Sequence, residues 1–378
     1  MSRERCEVWF IGKRHYTHRD ALRERYGRIH HLPASWAAQG IATRLWLIDY
    51  HGRAAETLRD AECRLEIAST PVRRPAGLLR LLAQALTLLR SAPGTVVASG
   101  DCYIGLLGWA LARLARARFV FDVYDRYDLF GAYRSFAGFD PWRFLLGRAD
   151  RLLFASRALA ASCDPSGRRS VIVPNGIDPG QFRPLDRLAC RTEFSLDAQA
   201  IYVGYFGSLD AQRGVDDLIA AVELLRQRGV PLRLLLAGAA REGLDLRKPW
   251  IDYLGNLAPQ RVAHAIACCD VLALPYRSSP YLDMASSCKI AEYLACGRPI
   301  AATRTPNLVS NFPAQAAVLD DLLADPGDAR DLAASIEAQL RAPRLAPPAT
   351  ELDWPSIARA TAGALAWTAR PHDAGRAA

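Results

Sequence analysis

The chain of 378 residues has little lysine and no long hydrophobic run. Only three of its 48 basic residues are lysines, namely Lys13, Lys248 and Lys289. No apolar segment reaches the roughly 18 to 20 residues that a membrane-spanning helix needs. The N-terminal stretch MSRERCEVWF has no hydrophobic signal-peptide core. These absences predict a cytoplasmic protein without a transmembrane anchor.

Paired cysteines and metal-binding motifs are also missing. The nine cysteines are scattered without CxxC pairs or zinc-ligand spacing, which is typical of reduced, buried thiols. The histidines form no HExxH or comparable arrangement, so neither a metal nor a cofactor is predicted. The net charge of +9 favours an anionic partner, either a membrane surface or a phosphorylated ligand. No nucleic-acid-binding motif is present, so nucleic acid is not among the predicted partners.

Short β-rich runs alternate with helical patterns along most of the chain. Strands are predicted at 6–12, 43–50, 64–69, 95–100, 118–125, 150–156, 170–176, 201–207, 232–238, 251–255, 270–276, 298–303 and 317–320. Helices are predicted at 76–90, 103–117, 141–149, 214–228, 258–269, 287–296 and 328–341. Such alternation indicates right-handed βαβ units and parallel sheets in two sets. The predicted fold class is therefore α/β, with two doubly wound Rossmann-like domains facing across a cleft.

Turn-forming residues divide this pattern into domains. The stretch PNGIDPGQFRPLDR, residues 174–187, is the natural linker. We predict an N-terminal domain over 1–178 and a C-terminal domain over 179–350. A last helix, DWPSIARATAGALAW, lies within a segment 351–370 that is expected to pack back on the first domain.

Two opposite charges stand in the apolar run SSCKIAEYLACGRPIAAT, residues 286–303. Serine N-caps and a Gly297 stop predict a helix over 287–296, on which Lys289 and Glu292 share one face. A cation in the first turn of a helix is disfavoured unless an anion such as a phosphate offsets it. Glu292 offers two acceptors that suit neighbouring hydroxyls, such as a ribose diol. A plain surface ion pair explains the spacing equally well, and both interpretations stay open at this point.

Resemblance to a known family favours the ligand site. The run 286–303 resembles the donor-site motif of family 4 and related GT-B glycosyltransferases, in which Ser-x-x-Lys-x-x-Glu-Tyr precedes Gly-x-Pro. VGYFGSLDAQRGVDDLIAAVELL (203–225) resembles the opening strand and basic-Gly helix start of the family's nucleotide-binding domain. Similar likeness is found at YLGNLAPQRVAHAIACCDVLALPY (253–276), ADRLLFASRALA (149–160) and VIVPNGIDPGQF (171–182). The resemblance covers about 149 to 310.

The resemblance implies that the C-terminal domain binds a nucleotide diphosphate sugar and the N-terminal domain an acceptor. Glu292 would hold the ribose, and Arg213 would neutralise the diphosphate in place of a metal. The implied donor-binding residues are Gly207, Ser208, Arg213, Asp283, Ser286, Ser287, Lys289 and Glu292. The implied catalytic residues are Tyr124, Asp125, Arg213 and Lys289.

Three departures from the family pattern concern the sugar more than the nucleotide. Met284 stands where the family often has a first Glu, and the neighbouring Asp283 is a candidate replacement. The first turn reads Gly207-Ser208 instead of Gly-Arg. The N-terminal domain has Tyr124-Asp125 where a His-Asp is usual.

The N-terminal half carries two further candidate surfaces. Residues 12–31 are rich in cations and read as a loop, in which Lys13, Arg14 and Tyr16 are the predicted acceptor-binding residues. The loop either binds a phosphorylated acceptor or is a solvated charged segment. The predicted helices at 76–90 and 103–117 are apolar and carry arginines, so they either rest on an anionic membrane or cover the sheet.

The predicted function is that of a cytoplasmic glycosyltransferase, with peripheral contact at the inner face of the plasma membrane as an additional expectation. It would move a sugar to a glycan or lipid-linked acceptor in polysaccharide or glycoconjugate synthesis. The resemblance implies retention of configuration without a metal. The alternatives are a nucleotide-sugar epimerase of similar fold and a binding subunit that has lost catalysis.

Overall fold

A computed structural model describes residues 8–16, 19–52, 55–131, 133, 135 and 138–365. The chain divides into two compact units. The first contains the chain up to Ala155, the segment Ala160–Pro174 and the chain from Trp354 onward. The second contains Ser156–Leu159 and Asn175–Asp353.

Strands and helices alternate along most of both units. The strands are β1 (Val8–Lys13), β2 (His15–Tyr16), β3 (Arg19–Asp20), β4 (Thr43–Asp49), β5 (Glu56–Asp60), β6 (Leu65–Pro71), β7 (Thr95–Ser99), β8 (Arg118–Val123), β9 (Arg151–Phe154), β10 (Ser170–Ile172), β11 (Ile201–Phe206), β12 (Leu232–Ala237), β13 (Ile251–Tyr253), β14 (Val271–Leu274) and β15 (Ile300–Ala302). The α-helices are α1 (Gly27–Ala38), α2 (Pro75–Ser91), α3 (Cys102–Leu114), α4 (Pro141–Arg148), α5 (Arg157–Cys163), α6 (Arg187–Glu193), α7 (Val215–Gln227), α8 (Pro259–Ala267), α9 (Cys288–Ala295), α10 (Pro306–Val309), α11 (Pro313–Leu319), α12 (Ala329–Arg341) and α13 (Trp354–Ala364). Short 3-10 helices lie at Tyr127–Leu129, Asp320–Leu322 and Thr350–Leu352.

The first unit is built on a sheet with the strand order β10-β9-β8-β7-β1-β4-β6-β5. Its strands pair in parallel, except that β5 runs antiparallel to β6 at the edge. The central strands are apolar on both faces, as in β1 (VWFIGK) and β7 (TVVAS), because helices cover both faces of a doubly wound sheet.

The second unit has a fully parallel sheet with the order β13-β12-β11-β14-β15. Helices α7 and α12 pack against each other and against this sheet through buried apolar residues such as Leu218 and Ile336. Because β11 lies in the middle of the sheet, its carboxyl end meets the ends of β12 and β14. Ligands of open α/β sheets bind at that edge.

The C-terminal helix α13 returns to the first unit and packs against α1. The Trp354 indole stacks on the His31 imidazole with 5.4 Å between the ring centroids. The Gln39 side chain donates to the Pro355 carbonyl at 2.8 Å.

The predicted α/β fold class with two sets of parallel strands is confirmed. The strand predicted at 317–320 is wrong, because these residues lie in α11 and in the 3-10 helix that follows it. Pro313 is the first residue of α11, a position that favours proline. The loop predicted over 12–31 is wrong in part, because α1 begins at Gly27. Residues 6–7, 17–18 and 366–370, which belong to predicted segments, lie outside the described residues.

Candidate donor site

The carboxyl end of β11 passes into a glycine turn that lies under a lysine side chain. Gly207 has φ +146°, a conformation that is largely restricted to glycine. A Cβ atom at this position would lie 2.6 Å from the Lys289 Nζ atom and closer still to its Cε atom. The Tyr293 hydroxyl accepts a hydrogen bond from the Phe206 amide at 2.9 Å, which fixes α9 against the strand end. The turn therefore brings the Lys289 ammonium to the end of the central strand.

The first turn of α9 presents unpaired backbone amides. The Ser287 N–H donates to the Asn307 Oδ1 atom at 3.2 Å. Across the described part of the chain, the N–H groups of Cys288 and Lys289 have no acceptor. These two amides and the positive end of the helix dipole lie beside the half-buried Lys289, so this turn is suited to bind an anion.

Three polar side chains hold the loop before α9 in place. The Ser156 hydroxyl donates to the Met284 carbonyl at 2.5 Å. The Asn175 side-chain amide donates to the Ser286 carbonyl at 2.7 Å, and its backbone N–H donates to the Ser286 hydroxyl at 3.3 Å. Ser286 is buried, so its hydroxyl serves this internal network. Neither Ser156 nor Asn175 was assigned a site role from the sequence, although both lie in stretches that resemble the family.

Arg213 lies near the first turn of α9, among the hydroxyl groups of tyrosine side chains. Burial alone would lower the Arg213 pKa, but the neighbouring Tyr205, Tyr276 and Asp210 outweigh it and raise the pKa above the ordinary value. The guanidinium therefore stays charged, with its Nε atom 3.4 Å from a carboxylate oxygen of Asp210. The Tyr276 hydroxyl shares a hydrogen bond of 2.9 Å with the Ser287 hydroxyl, which connects this cluster to the start of α9.

Glu292 lies one turn deeper on α9 and is half-buried. Burial raises the pKa of its carboxyl group, while Lys289 and a hydrogen bond from the Cys288 thiol act in the opposite direction. Burial also raises the Cys288 pKa to about 12, so the thiol is neutral and can donate. A carboxylate in this setting gains from hydroxyl donors on a ligand, because they replace the water that it has lost.

The predicted sugar-contact residues lie in the loop that precedes α9. The Asp283 Oδ2 atom accepts a hydrogen bond from the Ser278 hydroxyl at 2.6 Å. Its Oδ1 atom is buried without a hydrogen-bond partner in the described residues.

Ser208, which follows β11, is exposed. Its carbonyl oxygen accepts a hydrogen bond from the Tyr205 hydroxyl at 3.3 Å.

In the first unit, the three predicted acceptor residues have different surroundings. Lys13 ends β1, and its Nζ atom lies 5.5 Å from the centre of the Tyr50 ring and 4.0 Å from an Asp101 carboxylate oxygen. The Tyr16 ring packs against Tyr124 with 5.9 Å between the centroids. Lys13 and Tyr16 remain partly accessible at the carboxyl edge of the sheet.

Arg14, in contrast, is buried and occupied within the fold. Its guanidinium contacts Asp20 at 2.9 Å, Glu56 at 2.8 Å and Asp49 at 3.3 Å, and it donates to the Ser69 hydroxyl at 3.1 Å. Burial opposes the ionisation of Asp20, but the hydrogen bonds from Arg14 and from the Leu22 and Arg23 amides, together with the Arg14 charge, hold the Asp20 pKa below its ordinary value. A ligand would have to compete with three carboxylates for this arginine.

Near the predicted Tyr124 and Asp125, the structure has a buried ion pair that sequence reasoning missed. Asp122 near the end of β8 is fully buried and forms a bidentate contact with Arg28 of α1, with 2.9 Å from Nε to Oδ2 and 2.6 Å from Nη2 to Oδ1. The Ser99 hydroxyl donates to the same carboxylate at 2.7 Å. Arg28 also donates to the carbonyls of Val173 and Pro174. Tyr124 and Asp125 therefore follow a rigid strand end.

Two family sequence models match this chain. Residues 200–342 match "Glycosyl transferases group 1", and residues 27–176 match "Glycosyl transferase 4-like domain". Together they cover most of the chain, one in each unit. The chain belongs to this glycosyltransferase family.

A curated relative of this chain is the D-inositol 3-phosphate glycosyltransferase of Segniliparus rotundus. It is 27% identical over 182 residues, which cover 43% of this chain and 39% of the relative. The match thus spans about two fifths of the relative's length.

Solved structures show the same GT-B fold. Anabaena HepE in complex with UDP and glucose matches with a TM-score of 0.65 and 16% identity, covering 95% of this chain and 99% of HepE. Sucrose-phosphate synthase from Thermosynechococcus elongatus matches with a TM-score of 0.71 and 16% identity, covering 95% and 97% of the two chains.

Membrane-spanning helices and metal-ligand clusters are both absent from the residues that the structure describes. None of those helices is long and apolar enough to cross a membrane. Nor do three or more His, Cys, Asp or Glu side chains come together there as a set of metal ligands.

Proposed function

We propose that this chain transfers a sugar from a nucleoside diphosphate sugar to a glycan or lipid-linked acceptor on the cytoplasmic side of a membrane. The observation that carries the proposal is the start of α9, where the amides of Cys288 and Lys289, which have no acceptor among the described residues, lie beside the Lys289 ammonium. A diphosphate supplies the negative charge that this arrangement lacks. The UDP complex of Anabaena HepE supports the same class of donor.

Each donor residue has a role that follows from its surroundings. Lys289 and Arg213 would neutralise the diphosphate as it leaves, so that no metal is needed, with Gly207 allowing close approach of the backbone. Ser208 and Ser287 would line the phosphates, while Ser286 would hold the loop. The Glu292 carboxylate would accept hydrogen bonds from the ribose hydroxyls. Asp283, with an unsatisfied carboxylate oxygen, would contact the sugar in place of the glutamate that Met284 replaces.

The first unit would hold the acceptor. Lys13 offers an accessible positive charge at the end of β1, and Tyr16 and Tyr124 form an aromatic surface near Asp125. Lys13 would attract an acidic or phosphorylated acceptor, and Tyr124 and Asp125 would orient its attacking hydroxyl. Arg14 would act mainly by holding Asp20, Asp49 and Glu56 in place. We further propose that the configuration of the transferred sugar is retained.

The test has two measurements on the wild type and Glu292→Gln. The first is release of UDP or GDP from a panel of nucleotide sugars, with and without EDTA, and the second is the affinity for UDP and GDP. Glu292→Gln should weaken binding of the matching nucleoside diphosphate by at least about tenfold, because a charge-assisted hydrogen bond contributes about 1.5–3 kcal/mol. Glu223→Gln is the matched control, since that glutamate lies on α7 and pairs with Lys248 at 2.9 Å. Product NMR reports the anomeric configuration. Undiminished affinity in Glu292→Gln, or activity that vanishes with EDTA, would contradict the corresponding part of the proposal.

A further inference from the structure

Helix α2 of the first unit leaves an apolar face open to solvent. Of its 17 residues, only Gly77 and Leu88 are buried. Leu78, Leu79, Leu82 and Leu86 are 58%, 71%, 58% and 50% exposed. At about 100° per residue, these four positions fall within roughly one third of the helix circumference. They therefore form a continuous leucine strip, which is uncommon on the surface of a soluble domain.

Exposed arginines accompany this strip. Arg73 and Arg74 precede the helix, Arg90 lies beside the leucine strip, and Arg80 lies on the far side of the helix from it. The chain from residue 67 to residue 100 contains no aspartate or glutamate. Within the described residues, none of these four arginines has an ion-pair partner, although most arginines in the unit's β2–β5 region have one. The helix thus combines exposed leucines with positive charge that the fold leaves uncompensated.

We propose that α2 and its arginines dock the protein on an anionic lipid bilayer, with the leucine strip entering the headgroup region. Interfacial helices of this kind bury an apolar face while basic residues attract acidic headgroups. A second copy of the chain fits this surface poorly, because it would bring eight uncompensated positive charges together around the two helices. This docking surface extends the proposed function, because a lipid-linked acceptor lies at a membrane interface. Only that link to the acceptor rests on the proposed function.

The experiment measures co-sedimentation of the full chain with phosphatidylcholine vesicles, with and without phosphatidylglycerol, at low and high salt. We expect binding to the phosphatidylglycerol vesicles that weakens as salt rises. Equal binding to both vesicle types, or none to either, would overturn the proposal. So would binding that salt leaves unchanged, because the arginines would then not contribute.

Charge-removing variants locate the contact. The double variant Arg74→Gln/Arg90→Gln should lower the partition coefficient about 25-fold, because each arginine near an anionic surface contributes a factor of about five. The matched control is Arg168→Gln/Arg330→Gln, which removes two exposed arginines elsewhere and alters net charge equally. If the control lowers binding as much as the α2 variant does, the attraction is a property of net charge and the assignment to α2 is wrong.

Apolar variants test the leucine strip. Leu79→Gln/Leu82→Gln should weaken binding by at least about tenfold, since burial of an apolar side chain is lost at two positions. The matched control is Leu188→Gln/Leu345→Gln, at leucines that are 53% and 55% exposed in the second unit. Equal loss in both double variants would contradict the proposal. Thermal melts should be unchanged in all four variants, because the replaced side chains are exposed.

Failure of this inference can be told apart from failure of the proposed function. UDP and GDP affinities are measured in solution on the same α2 variants and should equal those of the wild type. A protein that binds vesicles through α2 but no nucleoside diphosphate retains the docking surface and loses the proposed function. The reverse result, donor binding without vesicle binding, overturns the docking surface alone.

Discussion

Lys289→Met removes the ammonium that lies over Gly207 and keeps most of the apolar side chain. If the start of α9 binds a diphosphate, the affinity for UDP or GDP should fall about ten- to 150-fold. That range corresponds to the loss of one charge-assisted hydrogen bond, about 1.5–3 kcal/mol. A lysine in the first helical turn destabilises the ligand-free protein by about 0.3–1 kcal/mol. The variant also loses the attraction between Lys289 and Glu292, so the thermal melting temperature should change little.

Isothermal titration with the nucleoside, the monophosphate and the diphosphate separates these effects. The loss should be confined to ligands that carry phosphate, because the amine would contact only that group. Lys248→Met is the matched control, since this lysine of the same unit pairs with Glu223 at 2.9 Å and lies 5.3 Å from the centre of the Trp250 ring. Diphosphate affinity equal to that of the wild type would refute the reasoning, as would an equal loss for the bare nucleoside.

Three further predictions concern stability. Burial raises the Glu292 pKa above the ordinary 4.5, so the folded state holds a proton on this carboxyl group that the unfolded state releases. The free energy of unfolding of the wild type should therefore fall relative to that of Glu292→Gln as pH rises from 4.5 through the raised pKa, as measured by urea unfolding. Asp122→Asn should destabilise the first unit by about 3–5 kcal/mol, because it leaves a buried arginine without its carboxylate, and an unchanged urea midpoint would contradict this. Gly214→Ala should lower the melting temperature more than Gly229→Ala, since both have φ above +60° but only the former would drive a Cβ into the Pro275 carbonyl.

Helix α9 could be predicted because the signals that set it are local. Ser287 occupies the N-cap position, although its hydroxyl bonds to Tyr276 and does not cap the helix. Gly297 with φ +63° follows the end of the helix, and the spacing of Lys289 and Glu292 places both on one face. The polar network around the loop before it could not be predicted. Asn307, Asn175 and Ser156 are 20, 111 and 128 residues away along the chain from their partners, and only the folded sheet brings them together.

Helix α1 was not predicted from the sequence. Ile29, Leu32 and Trp36 are buried at helical spacing, which is the signal that could have identified it. The many cations of residues 12–31 instead suggested a loop. Similarly, β5 (ETLRD) is an edge strand that is largely polar and exposed, so it lacks the apolar run by which the parallel strands were predicted. The two-residue strands β2 and β3 were missed for the same reason.

The charges of residues 12–31 could be counted from the sequence, but their partners could not. Arg14 contacts Asp49, which is 35 residues away, and Arg28 contacts Asp122, which is 94 residues away. In the sequence, a cation-rich segment is a candidate ligand site. In the folded chain, carboxylates from distant positions pair with these cations. The role of Lys13 and Tyr16 in acceptor binding stays a prediction.

The turns at the carboxyl edge of the second sheet touch backbone to backbone. A side chain at Gly238 would strike the Gly207 carbonyl, and one at Gly214 would strike that of Pro275. In directed evolution toward another donor, these positions should therefore tolerate almost no substitution. New specificities should arise instead from replacements at exposed positions of the loop before α9, such as Ser278 and Pro280, because Leu282 and Ser286 of the same loop are buried.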